Sequence, residues 1–348
     1  MRWLRHLYDA RHSGGMPPRL VPTWASFGAS AAAEMDPPTF WALCRARHFV
    51  YPPKVVSAAP LSHFGPGGYT FGPLGVDLRR NLANAWWKAE MTSREQVFGV
   101  ETPTLVSGAE NSSQQALGNL GKESGEGAAL FNPDRGFHPR SSLFPGILQH
   151  YAMIMELTNR KLPFGLAEIG CCWKQNTGGN MRLMKCLHTA TYTAGQGRDG
   201  RRSIIPHVIS TTASLNQGTL ALLLDACQPR SLLNRSVLRM HPWLAPVKIA
   251  VDLVSNPLLE LKQLCEGLYR ELLDAGLTVW PAYLNTEHLD IEQLFMRHDE
   301  MGIVFTVLVS DVTLENGTVR LRYRNTGIEE IMHLTLLTPY VQKYIEKS

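Results

Sequence analysis

The last third of the chain alternates short apolar runs with amphipathic stretches of helical period, an order that few architectures satisfy. APVKIAVDLV (245–254) and IVFTVLVS (303–310) are mostly apolar runs of strand length. Between and around them, LLELKQLCEGLYRELLDAG and IEQLFMRHDEMG repeat apolar residues every three to four positions and stop at Gly276 and Gly302. LTVWPAYL and TVRLRYRNT add strands, and IEEIMHLTLLTPYVQKYIEK reads as one closing helix. Strands of one sheet joined by helices of this length need crossover connections, so a mixed, mainly parallel sheet is expected.

The preceding residues follow another plan. FWALCRARHFV, after Pro37-Pro38, predicts a short helix, and HFGPGGYTFGPLG (63–75) is too rich in Gly and Pro for regular structure. VDLRRNLANAWWKAEM then places Leu78, Leu82, Ala85, Trp86 and Ala89 at helical spacing. REQVFGVETPTLV (94–106) reads as one strand, GILQHYAMIMELTNRK (146–161) as one helix and LPFGLAEIGCCW (162–173) as a strand. SIIPHVIST (203–211) is a further strand and NQGTLALLLDAC (216–227) a helix, whereas 176–202 shows no clear period. Residues 107–142 are rich in Gly, Ser, Asn and Pro and read as a loop or insertion. The change of pattern puts a domain boundary between 228 and 242: an α+β domain over 36–235, then an α/β domain over 236–348.

Composition narrows the class. A chain of 348 residues, 44% hydrophobic and 18% charged, can bury two cores. It has no run of about eighteen apolar residues, so no membrane helix is expected. The net charge of +4 decides nothing about nucleic acid. Six cysteines, at 44, 171, 172, 186, 227 and 265, form no CxxC hook and no secreted framework, so neither a zinc site nor a disulfide scaffold is expected. Near the start, Arg2, Arg5, Arg11 and Arg19 face a single acid, Asp9, and Trp3, Leu4, Leu7 and Tyr8 share one helical face. That Arg-rich, acid-poor amphipathic pattern predicts a mitochondrial transit peptide over 1–35 and residence in the matrix.

Four segments, in chain order, resemble class II aminoacyl-tRNA synthetases of the glycyl type. YTFGPLGVDLRRNLANAWW is similar to that family's dimer-forming turn and helix, and LPFGLAEIGCCWKQN to the strand that brings an Arg and a Glu to ATP. PHVISTTASLNQGTLALLLDA resembles the last catalytic strand and helix, and HPWLAPVKIAV through GTVRLRYRNT the anticodon-binding domain. The resemblance implies a class II antiparallel sheet with helices followed by an anticodon-binding-like domain. The positions it maps onto the ATP site, however, hold Lys174, Asn176, Ser210, Ser214 and Gln217 instead of Arg, Glu, a carboxylate, Gly and Arg. Adenylation needs guanidinium groups on the phosphate oxygens and carboxylates on Mg²⁺, and losing one preorganised contact of this kind costs roughly a hundred- to a thousandfold in rate. The chain is therefore expected to be no enzyme, with no cofactor or metal and no catalytic residue.

Among non-catalytic proteins, the chain resembles the accessory (processivity) subunits of mitochondrial DNA polymerase gamma. FGPLGVDLRRNLANAWW, SREQVF, NRKLPFGLAEIG, MHPWLAPVKIAVDL and DEMGIVFTVLVSDVTLENG all resemble theirs. The resemblance implies a homodimer that binds double-stranded and primer-template DNA and the catalytic polymerase subunit, and so lengthens each run of synthesis. One departure stands out: the chain is shortened between 176 and 197, where relatives carry several strands, so an incomplete sheet with exposed edges is expected.

Candidate residues follow. Arg198, Arg201 and Arg202 on a basic turn, and Arg320, Arg322 and Arg324 on one face of a strand, are candidate phosphate contacts; a solvated face paired with Glu329 and Glu330 is the alternative for the second row. The resemblance places the dimer seam on Leu82, Trp86, Trp87 and Tyr151; the polymerase contact is expected on exposed apolar edges of the C-terminal domain near Val279, Trp280 and Tyr283, with a core role the alternative for Trp280. Two other functions compete: a tRNA-binding pseudo-synthetase and an active glycyl-type synthetase.

Overall fold

The structure, a computed structural model of the chain, describes residues 37–51, 69–107, 137–175, 181–193, 206–230, 235–254, 258–284 and 290–348. The expected transit peptide, most of the 107–142 insertion, Asn176 and the basic turn of Arg198, Arg201 and Arg202 lie outside the described residues.

Helix α1 (Pro37–Ala46) and strands β1 (Val50–Tyr51) and β2 (Thr70–Phe71) lead into α2 (Pro73–Trp87). The Gly-Pro-Leu-Gly turn has a steric cause. A Cβ on Gly72 or Gly75 would collide with the carbonyl oxygens of His48 and Phe49, so the start of α2 lies directly on that backbone. Pro73 occupies the first turn, where the missing N–H would have had no helical partner.

α2 packs on a four-stranded sheet of order β3-β6-β7-β8: Val97–Gly99, Phe164–Gln175, Met181–Thr193 and His207–Ser214. β3 runs parallel to β6, and the other pairs are antiparallel. α2 and helix α5 (Leu215–Ala226) cover one face, where Ala83, Trp86 and Leu215 meet Ala167 and Leu187. Helices α3 (Phe144–Gln149) and α4 (Tyr151–Leu157) cover the other, setting Ile147 and Ile154 against Phe164, Leu166, Cys172, Cys186 and Tyr192.

Three sequence readings change here. The stretch 176–202 contains the thirteen-residue β7. Residues 186–190 of β7 are buried on both faces, so no alternation marks them as a strand. The single strand expected over 94–106 is split into β3 and β4 (Leu105–Ser107), which pairs with β5 (Phe137–Pro139) in a separate ribbon. Pro103 lies between them, where a ladder donor would be missing. The helix expected over 146–161 is two helices meeting at His150, with neither Pro nor Gly at the joint.

After α5, β9 (Cys227–Arg230) and β10 (Arg235–Leu238) pair antiparallel within the stretch read as the domain boundary. The C-terminal sheet has the order β12-β11-β13-β14-β15, with strands Ile249–Leu253 (β11), Val279–Pro281 (β12), Phe305–Val309 (β13), Thr318–Tyr323 (β14) and Glu329–His333 (β15). β12, β11 and β13 are parallel; β14 and β15 add antiparallel pairings, so half the ladders are parallel, not most. α6 (Leu259–Asp274), α7 (Ile291–Glu300) and α8 (Asp311–Asn316) connect the strands, and α9 (Leu334–Lys347) closes the chain. The closing helix expected from 328 onward begins only at Leu334, because Glu329–His333 pairs along β14 from Arg322↔Glu329 to Thr318↔His333. Tertiary pairing overrides local helix preference there.

One core cluster runs from Phe40, Cys44, Leu78 and Leu223 through Leu238 to Ile249, Phe305, Leu321 and Leu337. The C-terminal sheet therefore shares its core with α1, α2 and α5. Asn81 of α2 donates to the carbonyls of Leu244 and Ala245 at 3.2 Å. The HPWLAP turn is gathered by Lys248, whose ammonium donates to Pro242, Trp243 and Ala245 at 2.7, 3.0 and 2.8 Å. Burial lowers the Lys248 pKa to about 8, so the cation still predominates at neutral pH.

Candidate nucleic-acid and subunit interface

The positions that resemble an ATP site do not converge. Lys174 is exposed near the end of β6, opposite Arg182 of β7. Ser210 is exposed on β8 opposite Ala190, which in turn faces Leu166. At about 3.3 Å per residue, Ser210 is displaced from Lys174 by roughly 26 Å along the strands. Ser214 caps α5 by accepting from the Gln217 backbone at 3.3 Å, and the Gln217 side chain is exposed. Lys174 and Ser210 cannot meet one phosphate group together, whereas Ser214, opposite Cys186 and through it Gly170, lies only four strand residues from Lys174.

The row Arg320, Arg322 and Arg324 divides into different environments, because α7 covers part of the face it lies on. Arg322 makes two hydrogen bonds to the Asp299 carboxylate at 2.8 and 2.9 Å and stacks over Phe295, 4.2 Å from the ring centroid. Arg324 is buried and donates to the carbonyls of Gly302 at 2.7 Å and Met240 at 2.5 Å; burial lowers its pKa to about 10, leaving it cationic. Arg322 and Arg324 therefore cannot reach a phosphate, and the three-guanidinium row is corrected to one accessible member. Arg320 is that member, and it lies 3.2 Å from Glu329, as the paired-face alternative supposed. Periodicity placed the three on one face but carried no information on what covers it.

The expected dimer seam is occupied by the chain itself. Trp86 is only 8% exposed in the α2–sheet core, with Leu82 and Trp87 packed beside it. Tyr151 stacks on Phe164 and Tyr192, with ring centroids 5.7 and 4.9 Å away. Trp86 is committed to the chain's own sheet, whereas Leu82, Trp87 and Tyr151 are only partly buried and keep surface outside it. Of the expected polymerase contacts, Val279 and Trp280 lie on the edge strand β12, half-buried against the core, and Tyr283 is half-buried with its ring edge-on to Tyr269. The sequence reading missed Leu284, beside them and 65% exposed.

A buried imidazole makes this domain acid-sensitive. His298 is packed beneath the sheet, its Nδ1 3.0 Å from the Thr306 hydroxyl, and burial, reinforced by Arg322, Arg297 and Arg47, lowers its pKa from 6.5 to about 3. Burial alone lowers His188 to about 4. A base whose folded pKa is depressed gives stability present above pH 6.5 and lost as pH falls, about 1.4 kcal/mol per pH unit for each histidine. Asp252, raised by burial to about 6, acts in the opposite sense and offsets one histidine below that pH. The denaturation midpoint is thus expected to fall between pH 6.5 and 4, and His298→Asn, which keeps a partner for Thr306, to remove one proton's worth of that slope in urea titrations. An unchanged slope would refute the assignment.

Comparison with known proteins agrees with this architecture. Residues 248–344 match the family described as "Anticodon binding domain". A solved prolyl-tRNA synthetase from Cryptosporidium parvum superposes with a TM-score of 0.63 over 92% of this chain and 77% of its own, at 10% identity, a likeness of fold alone. The chain thus has a class II synthetase-like fold that ends in an anticodon-binding domain. DNA polymerase subunit gamma-2 of Mus musculus is 32% identical over 427 positions, covering 88% of this chain and 90% of that one. The mitochondrial DNA polymerase subunit gamma-2 of Xenopus laevis is 30% identical, over 87% and 86% of the two chains. The chain belongs to the DNA polymerase subunit gamma-2 family. The mouse alignment is longer than this 348-residue chain, so the relative carries segments that this chain lacks.

Proposed function

We propose that this chain is a non-catalytic accessory subunit of the mitochondrial DNA polymerase. It binds primer-template DNA and the catalytic subunit in the matrix nucleoid, as a homodimer, and lengthens each run of synthesis. Membership of the gamma-2 family carries the reading. The separation of Lys174 from Ser210 along the sheet, together with Gln217 in place of a guanidinium, supports its non-catalytic part. The catalytic subunit docks at the β12 edge, where Val279, Trp280 and Tyr283 border the exposed Leu284. DNA phosphates are met by Arg198, Arg201, Arg202 and Arg320 through charge, without base readout.

Primer extension by the catalytic subunit on a long template, with and without the chain from residue 36 onward, tests this at near-physiological salt, where unaided binding is weakest. Products several-fold longer are expected with the chain present. Unchanged lengths with folded protein would reject the proposal. ATP–pyrophosphate exchange is expected to be absent. The anticodon-binding match over 248–344 favours a second reading, a tRNA-binding protein. Retention of structured tRNA in preference to duplex DNA at matched salt would select it.

A further inference from the structure

We propose that Cys172 and Cys186, with Met184 beside them, form a binding site for a soft monovalent metal ion, Cu(I). All three lie on the face of the β6–β7 ladder that α3 and α4 cover. Cys186 stands opposite Gly170 and Met184 opposite Cys172, so alternation points the three side chains the same way. Both cysteines belong to the core cluster under these helices, and Met184 packs against it. Their sulfurs meet. Cys172 donates a hydrogen bond to Cys186, which raises the Cys172 pKa and lowers that of Cys186 to about 7. Cys186 Sγ also lies 3.8 Å from the carbonyl oxygen of Met184, the cross-strand partner of Cys172.

The donor set selects the ion. Thiolate and thioether sulfur are soft ligands and favour Cu(I) over hard cations. A structural zinc site asks for four ligands, and among the described residues no group of three His, Cys, Asp or Glu is placed to hold a metal. The surroundings suit the charge. A Cβ on Gly170 would strike the Arg140 guanidinium, so that cation lies over the residue facing Cys186. Arg140 and Lys174 both act electrostatically on the two sulfurs. Two thiolates on one Cu(I) leave a single negative charge, which these cations oppose. Each thiol that binds releases its proton to solvent. Met184 is half-buried and Leu183 beside it is 48% exposed, so the path from solvent to the sulfurs is short.

Titration of the full, reduced chain with Cu(I) under ascorbate, in competition with a coloured Cu(I) chelator, tests the site. One ion per chain is expected to be retained, with a thiolate-to-copper ultraviolet band and a higher melting temperature. Cys172→Ala and Cys186→Ala are each expected to lose that retention, and Met184→Leu to weaken it. Cys171→Ala, on the opposite face of β6, is expected to keep it. Circular dichroism checks that each variant folds. X-ray absorption of the loaded parent chain, which needs no variant, is expected to show sulfur neighbours alone. Nitrogen or oxygen neighbours would overturn the site, as would a parent chain that surrenders all its copper to the chelator. Undiminished retention by both alanine variants would put the ion on other cysteines and reject the proposal equally.

Discussion

Arg322→Met is expected to cost about 3–5 kcal/mol of stability, the range for removing one partner of a buried ion pair. Its guanidinium meets both Asp299 oxygens beneath α7, and each side chain is less than one-tenth exposed. Truncation leaves the Asp299 carboxylate in a site that excludes water, and it removes the stacking over Phe295. Arg320→Met, two residues away on a half-exposed side chain, is expected to change stability by no more than about 1 kcal/mol, because exposed pairs contribute little. Any weakening of DNA binding should follow the reverse order once folding is accounted for. Urea denaturation of both variants, with duplex-DNA titrations at a temperature where each is folded, separates the roles. A stable Arg322→Met protein with selectively weakened DNA binding would restore the three-guanidinium row and refute the burial argument.

This contrast marks what the sequence could convey. Alternation correctly put Arg320 and Arg322 on one face of β14, because strand geometry fixes it locally. Whether a helix then lies on that face is decided by α7, some twenty residues away in the chain, and no local pattern reports it. The same limit hid β7: a strand buried on both faces loses the two-residue period that would reveal it. The helix of Trp86 was legible, since its apolar stripe and the Gly-Pro-Leu-Gly turn are local requirements. Its partner was not, because a buried seam looks the same whether it meets a second copy or the chain's own sheet. β15 failed differently: EEIMH can begin a helix, and only pairing along β14 makes it a strand. Of the candidate sites, the Lys174, Ser210 and Gln217 departures were readable one by one. The offset of Ser210 from Lys174 along the sheet required the register.

The second large effect is expected at Arg140 and Glu168, which link β6 to both ends of the 107–142 insertion. Glu168 is fully buried; it accepts from the Thr102 hydroxyl at 2.9 and 2.8 Å and pairs with Arg140 at 3.0 Å. Arg140 also donates to the carbonyls of Cys171 at 2.7 Å and Thr102 at 2.8 Å. Removing the guanidinium strands a carboxylate in the sheet interior and leaves two carbonyls without their donor. Arg140→Met is therefore expected to lose about 3–5 kcal/mol, a large share of the roughly 5–15 kcal/mol that a domain possesses. Glu168→Leu alone should be comparably damaging, since it leaves the cation without its counter-charge. The double variant Arg140→Met/Glu168→Leu should be less destabilised than the two losses summed, because no unpaired charge remains. A thermodynamic cycle by urea denaturation reads this coupling directly. Strict additivity would mean that the two groups are independently solvated, and that the insertion is anchored by something other than this pair.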